Sequence, residues 1–132
     1  MLQMISGFWI SRAIYIAAKL GIADHLRDGQ RTAEELAAMT GTHAPSLYRV
    51  LRALASVGVF AQDNDSRFRM TPLSETLRTN LPGSLRAFAI VELGDDHYPA
   101  WGDFLHSVKI AFDHAFGMPV WEYCAGHPNA QT

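Results

Sequence analysis

The sequence predicts a mainly α-helical fold: a winged helix-turn-helix with a two-stranded wing, additional C-terminal helices, and a contact with a second subunit. Three observations predict it. The N-terminal helix is apolar nearly all round, three helices and a hairpin follow in the winged-helix order, and aromatic-rich helical segments come last. We therefore divide the chain into a winged-helix dimerising domain over residues 1–80 and a helical extension over residues 81–132.

The first helix, predicted over roughly Leu2 to Leu20, is apolar on nearly every side. Residues two positions apart lie on different faces of a helix, so its large side chains cannot all enter one small core. Cover must come from the chain itself or from a second subunit, and the small size of the domain favours a subunit. The predicted interface residues are Ile5, Phe8, Trp9, Arg12 and Tyr15.

Three further helices carry their own start and stop signals. Residues 21–29 form a short helix, and a capping box from Thr32 to Glu35 starts a helix that ends at Gly41. A third helix stops at Gly58, and its apolar residues recur at helical spacing. The residues expected to pack the interior are Leu47, Val50, Leu51 and Leu54.

A hairpin follows the third helix and completes the winged-helix order. Residues 59–62 read as one strand, residues 63–66 supply turn residues, and residues 67–71 alternate polar and apolar side chains. Pro72 then occupies the first position of another helix, where its missing N–H has no cost.

Residues 81–132 are rich in aromatic residues at helical spacing. A helix is predicted over 98–116, and His97 just before it, Trp101 and Phe104 follow one another at helical spacings of four and three residues. Aromatic residues at this spacing most often belong to the core. With Asp95 and Asp96 beside them, they could also form one wall of a pocket for a flat aromatic ligand. The residues alone leave both interpretations open.

Composition and motifs exclude several classes of site. The acidic and histidine residues show no metal-ligand spacing, no two glycines stand as G-x-G, and Cys124 has no nucleophile motif around it. We therefore expect no metal, no cofactor-binding residue and no catalytic residue in this chain. The first 21 residues fit neither a signal peptide nor a membrane span, and a single cysteine indicates a cytoplasmic protein.

The alternative function is a winged-helix DNA-binding transcription regulator with an aromatic ligand pocket. Its recognition helix would present Arg49 and Arg52, and its wing would add Arg67 and Arg69. Residues 1–80 hold nine Lys and Arg against seven Asp and Glu, which is a weak basic excess for a DNA-binding domain. Two of these carboxylates lie in the wing itself. We therefore expect no nucleic-acid partner.

Five segments, taken in order, resemble the N-terminal dimerisation domain of small-molecule O-methyltransferases that use S-adenosylmethionine. This group includes the hydroxyindole, plant phenolic and bacterial polyketide O-methyltransferases. They are "AAKLGIADHL", "TAEELAAMTGTHAPSLYRVLRALASVGVF", "FRMTPLSETLR", "WGDFLHSV" and "AFDHAFGMPVWEY". Each segment alone is weak evidence for this family, because winged helices in general share the "LxRxLRxLxxxGxF" pattern. The order is specific, and the resemblance spans nearly the whole chain.

The resemblance implies that the parent enzyme is an intertwined dimer, a homodimer that methylates a hydroxyl group of an aromatic small molecule. It also implies that S-adenosylmethionine is bound by a downstream domain that this chain lacks. The chain alone would then be inactive. Together with His97, noted above, the implied substrate-binding residues are Trp101, Phe104, Phe116, Met118 and Trp121. Phe8 and Trp9 would reach towards the partner's pocket. One departure is a shortened stretch between Val108 and Phe112, where the family pattern has extra residues.

Overall fold

A computed structural model describes residues 1–102, 104 and 116–127 of the chain. Within those residues the fold is mainly helical with one two-stranded antiparallel sheet, as predicted. The chain separates into two compact units, Met1–Arg86 and Ala87–Thr132. The elements are α1 (Leu2–Ile5), α2 (Gly7–Lys19), α3 (Ile22–His25), α4 (Ala33–Thr40), α5 (Ala44–Ser56), β1 (Phe60–Gln62), β2 (Phe68–Met70), α6 (Pro72–Glu75), α7 (Arg86–Glu92), α8 (Tyr98–Gly102) and α9 (Val120–Gly126).

The predicted first helix is interrupted, so a single helix over Leu2–Leu20 was wrong in detail. The helix breaks at Ser6, whose backbone N–H and side-chain hydroxyl both donate to the Leu2 carbonyl, at 3.0 and 2.9 Å. A serine that bonds back to the preceding turn bends a helix, and the glycine that follows weakens it further. The result is a short α1 followed by the longer α2.

The core of the first unit lies where α2, α4 and β1 pack against α5. Leu47, Leu51 and Leu54 of α5 are buried as predicted, whereas Val50 is only half-buried. The α2 residues that enter this core are small alanines, which allow its backbone to lie close to α5. The larger side chains at the N-terminal end of α2 therefore remain outside.

Helix caps are built as the sequence predicts. At the start of α4, the Thr32 hydroxyl accepts from the Glu35 N–H at 3.2 Å and the Glu35 carboxylate accepts from the Thr32 N–H at 2.7 Å. Gly41 ends this helix in the left-handed conformation with φ 66°. The pKa of Glu35 is lowered because its carboxylate accepts this backbone N–H bond.

The hairpin confirms the predicted strands and turn. β1 and β2 are antiparallel, with Phe60 opposite Met70 and Gln62 opposite Phe68. The Asp63 carboxylate accepts the backbone N–H of Arg67 at 2.8 Å and so closes the turn. Phe60 and Phe68 both point into the core and are almost completely buried.

The second unit contains α7, α8 and α9. Of the helix predicted over 98–116, the structure describes α8 at its start, over Tyr98–Gly102. Residues 103 and 105–115 lie outside the described residues, and the shortened stretch between Val108 and Phe112 lies among them.

Candidate functional site

A broad apolar surface lies at the N-terminal end of the first unit. Its large side chains are all more than half exposed, with Ile5 64% and Trp9 66% accessible. We call it the N-terminal apolar surface: Met1, Leu2, Met4, Ile5, Phe8 and Trp9. Monomeric proteins rarely expose several large apolar side chains so close together, and such a surface is typical of an interaction site.

A groove of about 390 Å³ adjoins this surface. It runs beside the break between α1 and α2 and reaches the end of α5. Its lining residues are Gln3, Ser6, Gly7, Trp9, Ile10 and Val57. Trp9 belongs to both the groove and the surface, so an apolar projection and an apolar cavity lie side by side.

The predicted interface residues divide into two groups. Ile5, Phe8 and Trp9 are exposed, and the rings of Phe8 and Trp9 meet edge to face with centroids 5.8 Å apart. Arg12 and Tyr15 are half-buried, and the Arg12 guanidinium lies 4.6 Å from the centre of the Tyr15 ring. The first three side chains are therefore available for contact, and the last two form an ordered cation–π pair behind them.

The predicted substrate-binding residues lie in the second unit. Trp101 and Phe104 are brought together, with ring centroids 5.7 Å apart, and are 62% and 53% exposed. His97 precedes α8, is half-buried, and its carbonyl accepts the Ala100 N–H at 3.2 Å. The structure therefore places a half-buried histidine before α8, and an exposed aromatic pair at Trp101 and Phe104.

A second group of side chains, which we call the Tyr123 cluster, contains Asp96, Phe116, Tyr123 and His127. The Tyr123 hydroxyl donates to the Asp96 carboxylate at 2.7 Å. The Phe116 ring lies 4.9 Å from the Tyr123 ring, and the His127 ring stacks on Tyr123 at 4.1 Å with an angle of 14° between the planes. This cluster joins the segment before α8 to α9.

Sequence reasoning placed Phe116 in a site but missed Tyr123 and His127. The spacing of Tyr123 and His127, four residues apart, was an available signal for a stacked pair on a helix end. The bond from Tyr123 to Asp96 spans 27 residues and had no local signal. Met118 is 38% exposed, and Trp121 lies in α9 with its side chain outside the described residues.

The arginines of the DNA-binding alternative lie mostly on the surface. Arg67 pairs with Glu35 at 3.3 Å, and Arg49 donates to the Ser46 hydroxyl at 3.3 Å. Arg52 and Arg69 are exposed. In the part of the chain that the structure describes, no cluster of three His, Cys, Asp or Glu could hold a metal ion, and no helix is long and apolar enough to cross a membrane.

Comparison with known proteins decides between a DNA-binding regulator and an O-methyltransferase dimerisation domain. A sequence model of the O-methyltransferase dimerisation domain matches residues 2–80, more than half of the chain. The chain belongs to the O-methyltransferase dimerisation-domain family. The groove of this dimerisation domain, and every residue of the N-terminal apolar surface except Met1, lie within the matched residues.

The similarity continues beyond the matched residues. The chain is 47% identical to phenazine O-methyltransferase PhzM of Lysobacter antibioticus over 98% of its own length and 39% of that enzyme. It matches the crystal structure of LaPhzM with a TM-score of 0.91 at 47% identity, covering 98% of this chain and 40% of that one. The dimerisation-domain chain thus spans about two fifths of the length of the curated relatives it matches.

A third match carries bound molecules. It is the O-methyltransferase NcsB1 from neocarzinostatin biosynthesis, solved in complex with S-adenosylmethionine and 2-hydroxy-5-methyl naphthoic acid. The TM-score is 0.85 at 29% identity, over 99% of this chain and 42% of that one.

Proposed function

We propose that this chain is the dimerisation and substrate-binding part of an S-adenosylmethionine-dependent O-methyltransferase. The parent enzyme would methylate a hydroxyl group of an aromatic small molecule of the secondary-metabolite type. One observation carries the proposal: a chain of the dimerisation-domain family leaves an apolar surface on α1 and α2 uncovered. The chain by itself would be inactive.

The fold supports a winged helix-turn-helix that serves dimerisation. Helices α3, α4 and α5 precede the hairpin of β1 and β2, which is the order of that fold. We assign residues 1–80 to this winged-helix domain and residues 81–132 to a helical extension that forms one wall of the substrate pocket. The family match over residues 2–80 supports the first assignment.

We propose an intertwined homodimer in which the N-terminal apolar surface is covered by a second copy. Ile5, Phe8 and Trp9 would enter the interface directly, with Arg12 and Tyr15 behind them. Each large side chain contributes about 1.5–3 kcal/mol when it becomes fully buried. Several such side chains per copy make the dimer obligate, because the apolar surface of a separated monomer would face water.

Sedimentation equilibrium of the chain tests the dimer. We expect a stable dimer at micromolar concentration. Ile5→Asp and Trp9→Asp should each produce monomers with unchanged helix content, because both side chains are exposed within one chain. Leu73→Asp is the matched control, since Leu73 is 57% exposed and lies outside the N-terminal apolar surface. A wild-type chain that remains monomeric would contradict the proposal.

The second unit supplies aromatic side chains suited to a planar acceptor. Trp101 and Phe104 expose ring surface, Phe116 belongs to the Tyr123 cluster, and Met118 is partly exposed. Aromatic rings pair with centroids about 4.5–7 Å apart, so an exposed pair offers ready contacts to a flat ligand. The naphthoic acid bound by NcsB1 supports an acceptor of this shape. We propose that His97, Trp101, Phe104, Phe116, Met118 and Trp121 contact it.

We assign the methyl donor site and the catalytic base to residues outside this chain. The ten glycines include no G-x-G turn, so the chain lacks the glycine-rich loop that cradles such cofactors. When bound, S-adenosylmethionine supplies an electrophilic methyl group on a sulfonium. The residues of this chain would hold and orient the acceptor, without a metal. Its single cysteine supports a cytoplasmic location.

Titration with 2-hydroxy-5-methyl naphthoic acid tests the pocket wall. We expect quenching of tryptophan fluorescence, and Phe104→Ala should weaken binding about fivefold or more, because it removes one ring of an exposed aromatic pair. Phe88→Ala is the matched control, since Phe88 is a comparably exposed phenylalanine of the same unit. Addition of S-adenosylmethionine should give no methylated product. Equal losses for Phe104 and Phe88 would contradict the assigned wall.

A further inference from the structure

The hydrogen bond between Tyr123 and Asp96 joins two segments that are far apart in the sequence. The Tyr123 hydroxyl donates to an Asp96 carboxylate oxygen at 2.7 Å across 27 residues, and both side chains are half-buried. A hydroxyl that donates to a carboxylate forms a shorter and stronger hydrogen bond than two neutral groups do. Partial shielding from water strengthens the bond further, so it holds the two segments in one arrangement.

On one side, the bond holds the segment that leads to the exposed aromatic pair. Asp96 lies in a turn immediately before α8, and a bond from the Tyr98 N–H to the Gly94 carbonyl closes this turn at 2.9 Å. Trp101 belongs to α8, and its carbonyl accepts the Phe104 N–H at 3.3 Å. Local turns therefore run from Asp96 to both residues of the pair, so a shift of Asp96 would move them.

On the other side, the bond holds a ring that is already packed against its neighbours. The Phe116 and His127 rings lie 4.9 and 4.1 Å from the Tyr123 ring. The His127 Nδ1 lies 3.0 Å from the Tyr123 carbonyl and donates to it, because a carbonyl oxygen can only accept. These contacts restrict the Tyr123 ring, so its hydroxyl ties Asp96 to α9 and to Phe116.

We propose that Tyr123 and Asp96 are positioning residues for the acceptor. Their hydrogen bond sets where Trp101 and Phe104 stand relative to Phe116, and it acts through these rings rather than by touching the acceptor. Side chains that are ordered before the ligand arrives cost less free energy to immobilise, so a fixed wall binds more tightly. This inference rests on the proposed function and adds a polar link that organises the aromatic wall.

Fluorescence titration of the full chain with 2-hydroxy-5-methyl naphthoic acid tests this role. Tyr123→Phe removes only the hydroxyl and should raise the dissociation constant about threefold to tenfold, because the aromatic pair must then be ordered on binding. Asp96→Asn should give a smaller increase, since its amide oxygen still accepts from Tyr123.

Tyr48→Phe is the matched control for the lost hydroxyl. Tyr48 is a half-buried tyrosine of the first unit, and its hydroxyl accepts from the Gln62 side-chain amide at 3.3 Å. The same substitution therefore removes a comparable hydrogen bond away from the proposed wall. It should leave the dissociation constant unchanged.

A second background separates positioning from a general loss of structure. Phe104→Ala removes one ring of the pair, so little of the pair is left to order. In this background Tyr123→Phe should raise the constant by less than about twofold, whereas a general loss of structure would multiply the two effects. Asp96→Asn in the same two backgrounds gives the same comparison if Tyr123→Phe folds poorly.

The outcomes distinguish this inference from the proposed function. If Phe104→Ala weakens binding but Tyr123→Phe does not, the positioning role is overturned and the pocket wall stands. An equal effect of Tyr123→Phe in both backgrounds would also overturn the positioning role. A wild-type chain that does not bind the naphthoic acid would overturn the pocket wall, and this inference with it.

Discussion

Asp24 connects three separate stretches of the first unit. Its carboxylate accepts the Thr79 backbone N–H at 2.9 Å and the Thr79 hydroxyl at 2.6 Å. Arg86 in turn donates to the Thr79 hydroxyl at 3.2 Å and to the Ala18 carbonyl, at the end of α2, at 2.8 Å. The chain beyond α6 is thereby bound to the end of the helix that carries the N-terminal apolar surface.

Asp24 should make the stability of the chain depend on pH. Burial raises the pKa of Asp24, but the two hydrogen bonds from Thr79 and the charges of Arg86 and Arg78 lower it more, so its pKa lies below 3.8. A lowered folded-state pKa stabilises the fold above the unfolded value, and this contribution is lost as the pH falls through the folded value. The stabilisation is therefore complete at pH 7.

We expect Asp24→Asn to lower the free energy of unfolding by about 1–2 kcal/mol at pH 7, because hydrogen bonds to a charged carboxylate are replaced by weaker ones. The difference between variant and wild type should shrink as the pH falls below 3.8. Urea unfolding at a series of pH values measures it. Asp65→Asn is the control, since Asp65 is exposed in the hairpin turn. Equal stability of Asp24→Asn and wild type at pH 7 would contradict the assigned role.

At the scale of residues, periodicity predicts the core better than the site. The i, i+4, i+7 spacing of Leu47, Leu51 and Leu54 places them on one face of any helix, and all three are buried. Tyr123 and Asp96 meet only because two distant segments come together, which no local pattern encodes. The sequence therefore predicts aromatic substrate contacts but does not predict the hydrogen bond between Tyr123 and Asp96.

At the scale of elements, capping signals were the most reliable predictors and helix continuity the least. The Thr32–Glu35 capping box and the left-handed Gly41 were both readable, because each depends only on neighbouring residues. The break at Ser6 was missed, although serine followed by glycine is a weak helical pair. The apolar residues on both sides of Ser6 predict one continuous helix, and this pattern outweighed the low helix propensity of the Ser6–Gly7 pair.

The start of α6 contains a second capping box that ties this helix to the hairpin. The Thr71 N–H donates to the Ser74 hydroxyl at 2.8 Å, and Ser74 is completely buried. The Thr71 hydroxyl also lies 2.7 Å from the Val59 carbonyl, to which it donates. Thr71 therefore links the start of α6 to the residue that precedes β1.

Thr71→Ala should lower the free energy of unfolding by about 1–2 kcal/mol, since it removes a cap and leaves the Val59 carbonyl without this donor. Thr71→Ser should retain most of the stability because it keeps the hydroxyl. Thr76→Ala provides a comparison with a threonine whose hydroxyl donates within its own turn, to the Leu73 carbonyl. Thermal unfolding of the three variants measures the differences, and an equal loss for Thr71 and Thr76 would argue against the link.

At the scale of the whole molecule, the order of elements identified the family where single motifs could not. The sequence pattern of α5 and the glycine that follows it fits a DNA-reading helix and a dimerisation domain equally well. The segments on either side of it, compared in order, agree with one family, and the match over residues 2–80 confirms that interpretation. Substrate contacts remain the least predictable part, because the chain covers only about two fifths of its curated relatives.

The charge distribution of the molecule leads to a last prediction, that the chain does not bind duplex DNA. Non-specific DNA binding depends on neutralising phosphates and typically has dissociation constants of about 10⁻⁴ to 10⁻⁶ M at physiological salt. Here the net charge is −2, Arg67 is paired with Glu35, and Asp63 and Asp65 lie in the same hairpin. We expect no gel shift of duplex DNA at low salt with micromolar chain. Asp65→Lys is the control: it should increase DNA binding if the assay is sensitive to the charge of the hairpin. A gel shift by the wild-type chain that weakens steeply with salt would contradict the prediction, because it would show that the arginines of α5 and the hairpin contact phosphate.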